Sequence, residues 1–215
     1  NPYVYPAIDW YDELFKKTVI NQRATVSLRG GGKTARYYVS AALNRDNGAL
    51  KVDKKNNYNN NIDIKNIQLR TNVNLNLTKT TQFDIRVNAN FRDYNGPIDG
   101  GDAMYHKVRI SSPVMFPKSF APDDSNVLTK HVLFGNAGQG NYLNPYADMI
   151  RGYKEAHTTD LSAALQLSQK LDFITKGLDI RVLANFTRYS GFSLQREVSP
   201  FFYSIGYYDK ATDRY

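Results

Sequence analysis

Apolar and polar residues alternate with a period of two along most of this chain, and the alternation recurs in six stretches. From Asp160, residues Leu161, Ala163, Leu165, Leu167 and Leu171 fall on one side, and Asp160, Ser162, Gln166, Ser168 and Lys170 on the other. Leu178, Ile180, Val182, Ala184 and Phe186 then alternate with Asp179, Arg181, Asn185 and Thr187. An earlier pair sets Ile67, Leu69, Val73, Leu75 and Leu77 against Gln68, Arg70, Asn72, Asn74 and Asn76, followed by Phe83, Ile85, Val87, Ala89 and Phe91 against Asp84, Arg86, Asn88, Asn90 and Arg92. The first pair carries Ala24, Val26 and Leu28, then Ala35, Tyr37, Val39, Ala41 and Leu43. Apolar residues at i+2 rather than i+3 or i+4 exclude helix for these stretches. The predicted strands are 20–29, 34–46, 65–77, 82–94, 159–171 and 178–190. They exceed the usual five or six residues of a soluble strand, and they match the roughly 9–11 residues that a tilted strand needs to cross a bilayer.

The connections alternate in length. Gly30-Gly31-Gly32-Lys33, Thr78-Lys79-Thr80-Thr81 and Asp172–Gly177 read as short turns. Asn47–Asn66, Asn95–Thr158 and everything after Gly191 read as long loops. Short turns on one side and long loops on the other are the habit of outer-membrane barrels, so the expectation is an all-β, antiparallel up-and-down transmembrane β-barrel segment. Trp10, Asp99 and Phe202 then share the outer side. Tyr37 and Phe83 near the turns, and Phe91, Phe186, Tyr189 and Phe192 near the loops, suit interfacial girdles. Within the long middle loop, Gly100–Ser112 suits a short helix, and the prolines of Ser112–Pro117 force an extended course.

Composition supports this without deciding it. Mean hydropathy is −0.53, and Tyr (16) and Phe (11) are abundant. A low mean is compatible with a membrane barrel, in which only alternate residues are apolar. No apolar run is long enough for a transmembrane helix. The absence of cysteine excludes disulfides and thiolate metal sites. The net charge of +8 comes from Lys and Arg scattered among Asn, Thr and Asp rather than clustered, which argues against nucleic acid as partner. A soluble β-sandwich, such as a carbohydrate-binding module or an adhesin, also alternates apolar and polar positions and is the alternative reading.

Candidate chemistry is sparse. Gly32-Lys33-Thr34 invites a phosphate-loop reading, but Ser27 stands where that motif needs glycine, and a strand follows rather than a helix. His106, His131 and His157 lack metal-ligand spacing. Asp99, Asp102, Asp123 and Asp124 lack the ligand rhythm of a calcium loop. No nucleophile–base or paired-carboxylate pattern marks an enzyme, and no cofactor or metal is expected. On the polar side, Asn72, Asn74, Arg86, Asn88, Asn90 and Arg92 are expected to line a barrel lumen, where amide and guanidinium groups bind hydroxyls and carboxylates. Tyr94, Asp99 and Asp102, at the channel mouth, are the expected ligand-binding residues.

Several stretches together resemble one family. They are Asp9-Trp10-Tyr11-Asp12-Glu13-Leu14-Phe15; Asn21–Leu28 with its Gly-Gly turn; Tyr37-Tyr38-Val39-Ser40-Ala41-Ala42 leading to Asp46-Asn47-Gly48; Leu69–Thr78; and Ser112-Pro113-Val114-Met115-Phe116-Pro117. The resemblance, through most of residues 8 to 191, is to the SusC/RagA family of TonB-dependent outer-membrane transporters of Bacteroidetes. It implies that residues 1–215 are part of a 22-stranded barrel, about its second to seventh strands, with the plug domain, the TonB box and the remaining strands outside this chain. It further implies import of oligosaccharides, or oligopeptides in some members, beneath a SusD-like surface lipoprotein lid. It implies as well that the TonB complex supplies the energy and that outer-membrane lipid surrounds the barrel.

Overall fold

The computed structural model describes residues 1–124, 126–136, 138 and 143–215. In chain order the elements are α1 (Trp10–Leu14), β1 (Gln22–Gly31), β2 (Ala35–Asn47), β3 (Asp63–Asn76), β4 (Thr81–Gly96), α2 (Gly100–Ile110), β5 (Ser119–Phe120), β6 (Leu133–Gly135), α3 (Pro145–Ile150), β7 (Gly152–Lys170), β8 (Asp179–Glu197) and β9 (Phe202–Tyr203). The long strands form one antiparallel meander in the order β1-β2-β3-β4-β7-β8. β1 and β8 are its edges, so the sheet is open. The all-β antiparallel architecture read from the sequence is therefore present, as is the helix expected after Asp99.

Two expectations need correction. The sequence places Gly152–Thr158 and residues beyond Gly191 in loops, yet β7 starts at Gly152 and β8 runs on to Glu197. Above the apolar stretch both faces of these strands are polar or mixed, so pairing continues where alternation has stopped. Tyr189, grouped above with the girdle aromatics, pairs with Asp160 and so lies on the polar face.

Directly paired residues share a face, so the register fixes what each face presents. One row runs Leu43–Ile67–Phe91 and another Val39–Thr71–Val87–Ala163–Phe186. Every apolar set read from the sequence falls on this face. The opposite face carries Ser40–Arg70–Asn88–Ser162–Thr187, and Tyr38–Asn72–Arg86–Ala164–Asn185. Among the described residues nothing packs over the apolar face. Val26 is 72% exposed, Val182 58% and Phe186 55%.

The feet of the hairpins are staggered. The first hairpin ends at Gly31↔Arg36, in the row that continues through Asn74, Asp84 and Gln166. The second ends two residues lower, at Asn76↔Gln82. The third ends two residues lower again, at Lys170↔Asp179. The apolar band shifts in the same sense along its lower margin and, from β4 to β8, along its upper margin. Its upper margin is Ala24, Leu43, Ile67 and Phe91 in one row; on β7 that row holds Thr159 and the band starts at Leu161, and on β8 it starts at Phe186. Its lower margin descends from Leu28 on β1 through Phe83 on β4 to Leu171 and Leu178 beyond the last pair, whose backbones are joined by Leu171 N donating to Leu178 O at 2.8 Å. A stagger of one residue per strand, with about 3.4 Å rise and 4.8 Å between strands, corresponds to a tilt of about 35°.

The buried core lies at the loop end of the sheet. Trp10, Leu14, Leu50, Met104, Val108, Phe116, Phe134, Tyr146, Ala147, Met149 and Ile150 form it, with Phe202 packed against it. Trp10, Asp99 and Phe202 thus share one end of the sheet, as expected. Trp10 Nε1 donates to Ser112 O at 3.0 Å, which ties α1 to the segment after α2. Buried asparagines knit the loops by offering each backbone both a donor and an acceptor. Asn61 Nδ2 donates to Gly48 O (2.8 Å) while its Oδ1 accepts from Leu50 N (3.0 Å). Asn144, fully buried, caps α3 through Tyr146 N and Ala147 N and donates to Lys118 O and Gly135 O. The small sheet β5-β6-β9 completes this layer.

Candidate functional site: the polar face and its loop-end recess

The polar face results from strict alternation held in register over β1–β4, β7 and β8. Asn72 pairs with Arg86, Arg70 with Asn88, Gln68 with Asn90, and Asn66 with Arg92, so the residues expected to line a lumen lie together on one face. Asn74, paired with Asp84, donates to that carboxylate, and Gln82 Nε2 donates to the same oxygen at 3.3 Å. Arg70 Nε donates to Asn88 Oδ1 at 3.3 Å. Asn66 and Asn90 each keep a side-chain oxygen out of solvent without a hydrogen-bond partner in the structure. Asn90 borders a recess of about 500 Å³ at mid-sheet, together with Ser40, Gln68, Arg70, Asp160 and Ser162. Such an acceptor suits a water or a ligand hydroxyl.

The face is rich in cations. Arg29, Arg36, Arg70, Arg86 and Arg92 have no carboxylate within ion-pair distance among the described residues, whereas Arg23 approaches Asp46 (3.6 Å) and Arg181 approaches Asp179 (3.6 Å). Opposing acids are few, and Asp84 is buried under the amides of Asn74 and Gln82.

Where the polar face meets the loops, a second recess of about 350 Å³ is lined by Arg92, Tyr94, Ile98, Asp99, Lys154 and Thr158, among others. The structure brings two of the expected ligand residues together here. Tyr94 forms one wall, with its hydroxyl turned to Pro97 O at 3.4 Å. Asp99 is committed to cations: Lys107 Nζ lies 2.7 Å from Oδ2, and Arg151 Nη2 lies 3.1 and 3.0 Å from its two oxygens. The bond from Lys107 holds the Asp99 carboxyl below the usual aspartate range, against a smaller opposing effect of burial. Lys107 also meets Asp148 at 2.8 Å, and Arg151 reaches toward Glu197 at 3.7 Å. Burial disfavours the Lys107 ammonium, but its two carboxylate partners outweigh that and keep it charged. Asp99 therefore reads as a brace between α2 and the α3–β7 junction. Asp102 is exposed on α2 and does not border the recess. Lys154 was not singled out in the sequence, because it sits on a stretch read as loop.

A further recess, of about 860 Å³, lies between the turns at the other end and is lined by Lys33, Lys79, Lys170, Asp172 and Arg181, among others. It is the gap left by the staggered hairpin feet. Among the described residues no cluster of His, Asp and Glu is arranged to hold a metal ion, and no helix is long and apolar enough to cross a membrane.

Neither the family models nor the curated proteins compared with this chain give a match.

Proposed function

We propose that this chain is part of a transmembrane β-barrel in the outer membrane, and that the barrel is a SusC/RagA-like, TonB-dependent importer of oligosaccharides working under a SusD-like lipoprotein lid. The observation that carries the membrane reading is the joint slant of the apolar band and the hairpin feet. In a tilted barrel a level lipid slab must cut across the strand rows, and level turns must step along with it. A tilt of about 35° lies at the low end of the roughly 35–45° that closed barrels adopt. On β4 the band from Phe83 to Phe91 rises about 27 Å along the strand, hence about 22 Å along the membrane normal, close to the roughly 25 Å band of outer-membrane barrels. The bare apolar face gives further support, since an exposed apolar surface of this extent signals a missing partner, here lipid.

The importer reading rests on the sequence resemblance, on the amide- and hydroxyl-bearing polar face, and on the order of the loop end, where a compact core stands beside the recess as a lid platform would. The test uses the full-length protein. It should fractionate with the outer membrane, migrate faster on a detergent gel before boiling than after, and co-purify with a surface lipoprotein. A protein that stays soluble without detergent and shows no heat-modifiable mobility is the sandwich instead.

A further inference from the structure

The geometry points to an anionic cargo: the loop-end recess formed by Arg92, Tyr94 and Lys154 takes a carboxylated sugar ring, and the arginines beneath it form a track for the same charge. This rests on the importer reading above and narrows its substrate from oligosaccharides to acidic ones.

Arg92 and Lys154 stand on the same face of neighbouring strands, because Arg92 pairs with Thr158 and Lys154 with Gly96. Tyr94, paired with Ala156, lies between their levels. The recess is thus an aromatic wall with a cation above and another below. Neither cation meets a carboxylate within ion-pair distance among the described residues. The one acid in the wall, Asp99, is already held by Lys107 and Arg151. A neutral sugar leaves both cations unanswered, whereas a uronate carboxylate gives them a charge-assisted partner. Thr158 and the unpartnered Asn90 oxygen below it favour a polyhydroxylated ring over a peptide side chain.

The same logic continues toward the turns. Along β4 the rows of Gly96, Arg92, Asn88, Arg86 and Asp84 include Lys154, Arg92, Arg70, Arg86 and Arg36, with Asp160 in the Asn90 row and Asp84 as the acids among them. Rings of Arg and Lys are how pores favour anions.

The experiment is calorimetric binding to the full-length protein in detergent at low salt. The probes are trigalacturonate, its carboxyl-reduced neutral counterpart and triglutamate. Trigalacturonate should bind roughly tenfold or more tighter than the reduced sugar. That preference should vanish in the Arg92→Gln/Lys154→Gln double variant, persist in Arg92→Lys, and fall as salt rises. Equal binding of the two sugars, a preference that survives in the double variant, or triglutamate binding as tightly as trigalacturonate would each overturn the assignment. Heat-modifiable mobility of the same sample reads the barrel separately, so a failed site and a failed barrel give different results.

Discussion

Arg188 on β8 faces Leu161 on β7, and among the described residues it is the single charge on the apolar face between the row of Phe91 and the row of Phe83. Taken along the rows, it is a guanidinium inside an apolar band. Taken along the slant, it is level with Phe91, two strands away and two residues higher, and so it stands on the band's upper margin. There a long cationic side chain reaches the headgroup layer while its stem stays in hydrocarbon. Arg188→Leu should therefore change unfolding free energy by less than about 1 kcal/mol, whereas Val182→Arg, near mid-band on the same strand, should cost about 2–4 kcal/mol. Denaturant titration of the full-length protein in lipid reads both.

The two faces predict a sharper contrast between neighbours. Val87 and Leu165 lie in the middle of the apolar band, and Asn88 lies beside Val87 on the polar face. Arginine at Val87 or Leu165 should destabilise the barrel by about 2–4 kcal/mol, and arginine at Asn88 by far less. Folding yields in lipid vesicles measure the difference. Equal yields for the Val87 and Asn88 variants would reverse the assignment of faces.

Asn144 makes four bonds with one amide, so its loss should loosen the loop layer without touching the barrel. Asn144→Ala removes the cap of α3 and strands the carbonyls of Lys118 and Gly135, a cost of about 2–4 kcal/mol. Asn144→Asp should be no better, because it keeps the cap but turns two donors into acceptors facing carbonyls. Limited proteolysis should cut within residues 97–151 in both variants, while heat-modifiable mobility persists.

The Asp99 brace predicts an acid limit for the same layer. Its carboxyl is held below the normal range in the folded state, so its contribution is fully present above the ordinary aspartate value of about 3.9 and is lost as pH falls through the lower, folded value. Hydrogen exchange at Gly100–Arg151 should speed up below about pH 4, and the change should be absent in Asp99→Asn.

The strands of the sheet were legible because one of their faces is mostly apolar, and the three hairpins could be placed from alternating sets such as Val26 and Val39, Leu69 and Val87, and Leu165 and Val182. The upper parts of β7 and β8 were not legible, because residues such as Tyr153, Lys154 and Glu155 show no contrast between faces. That gap concealed Lys154, and with it half of the recess. Asn61 and Asn144 look like any other asparagine in an asparagine-rich chain. Only their burial against the backbone of neighbouring loop segments reveals their role, and periodicity carries no trace of those contacts. The stagger is invisible to periodicity, since it depends on which residues pair across strands rather than on which alternate within one.

The slant is the claim on which the membrane reading turns, and it can be measured by depth. Nitroxide labels at single cysteines replacing Val87, Ala184 and Phe186 would be introduced into the full-length protein, reconstituted in lipid, and compared by relative accessibility to oxygen and to a water-soluble nickel complex. Residues 1–215 contain no cysteine, and any cysteine elsewhere in the full-length protein would be replaced by serine first. The account predicts that Val87 and Ala184, which lie in different rows, sit at equal depth, and that Phe186, in the row of Val87, lies about 5–6 Å nearer the outer surface. Equal depth for Val87 and Phe186, or free access of the nickel complex to all three positions, would contradict it.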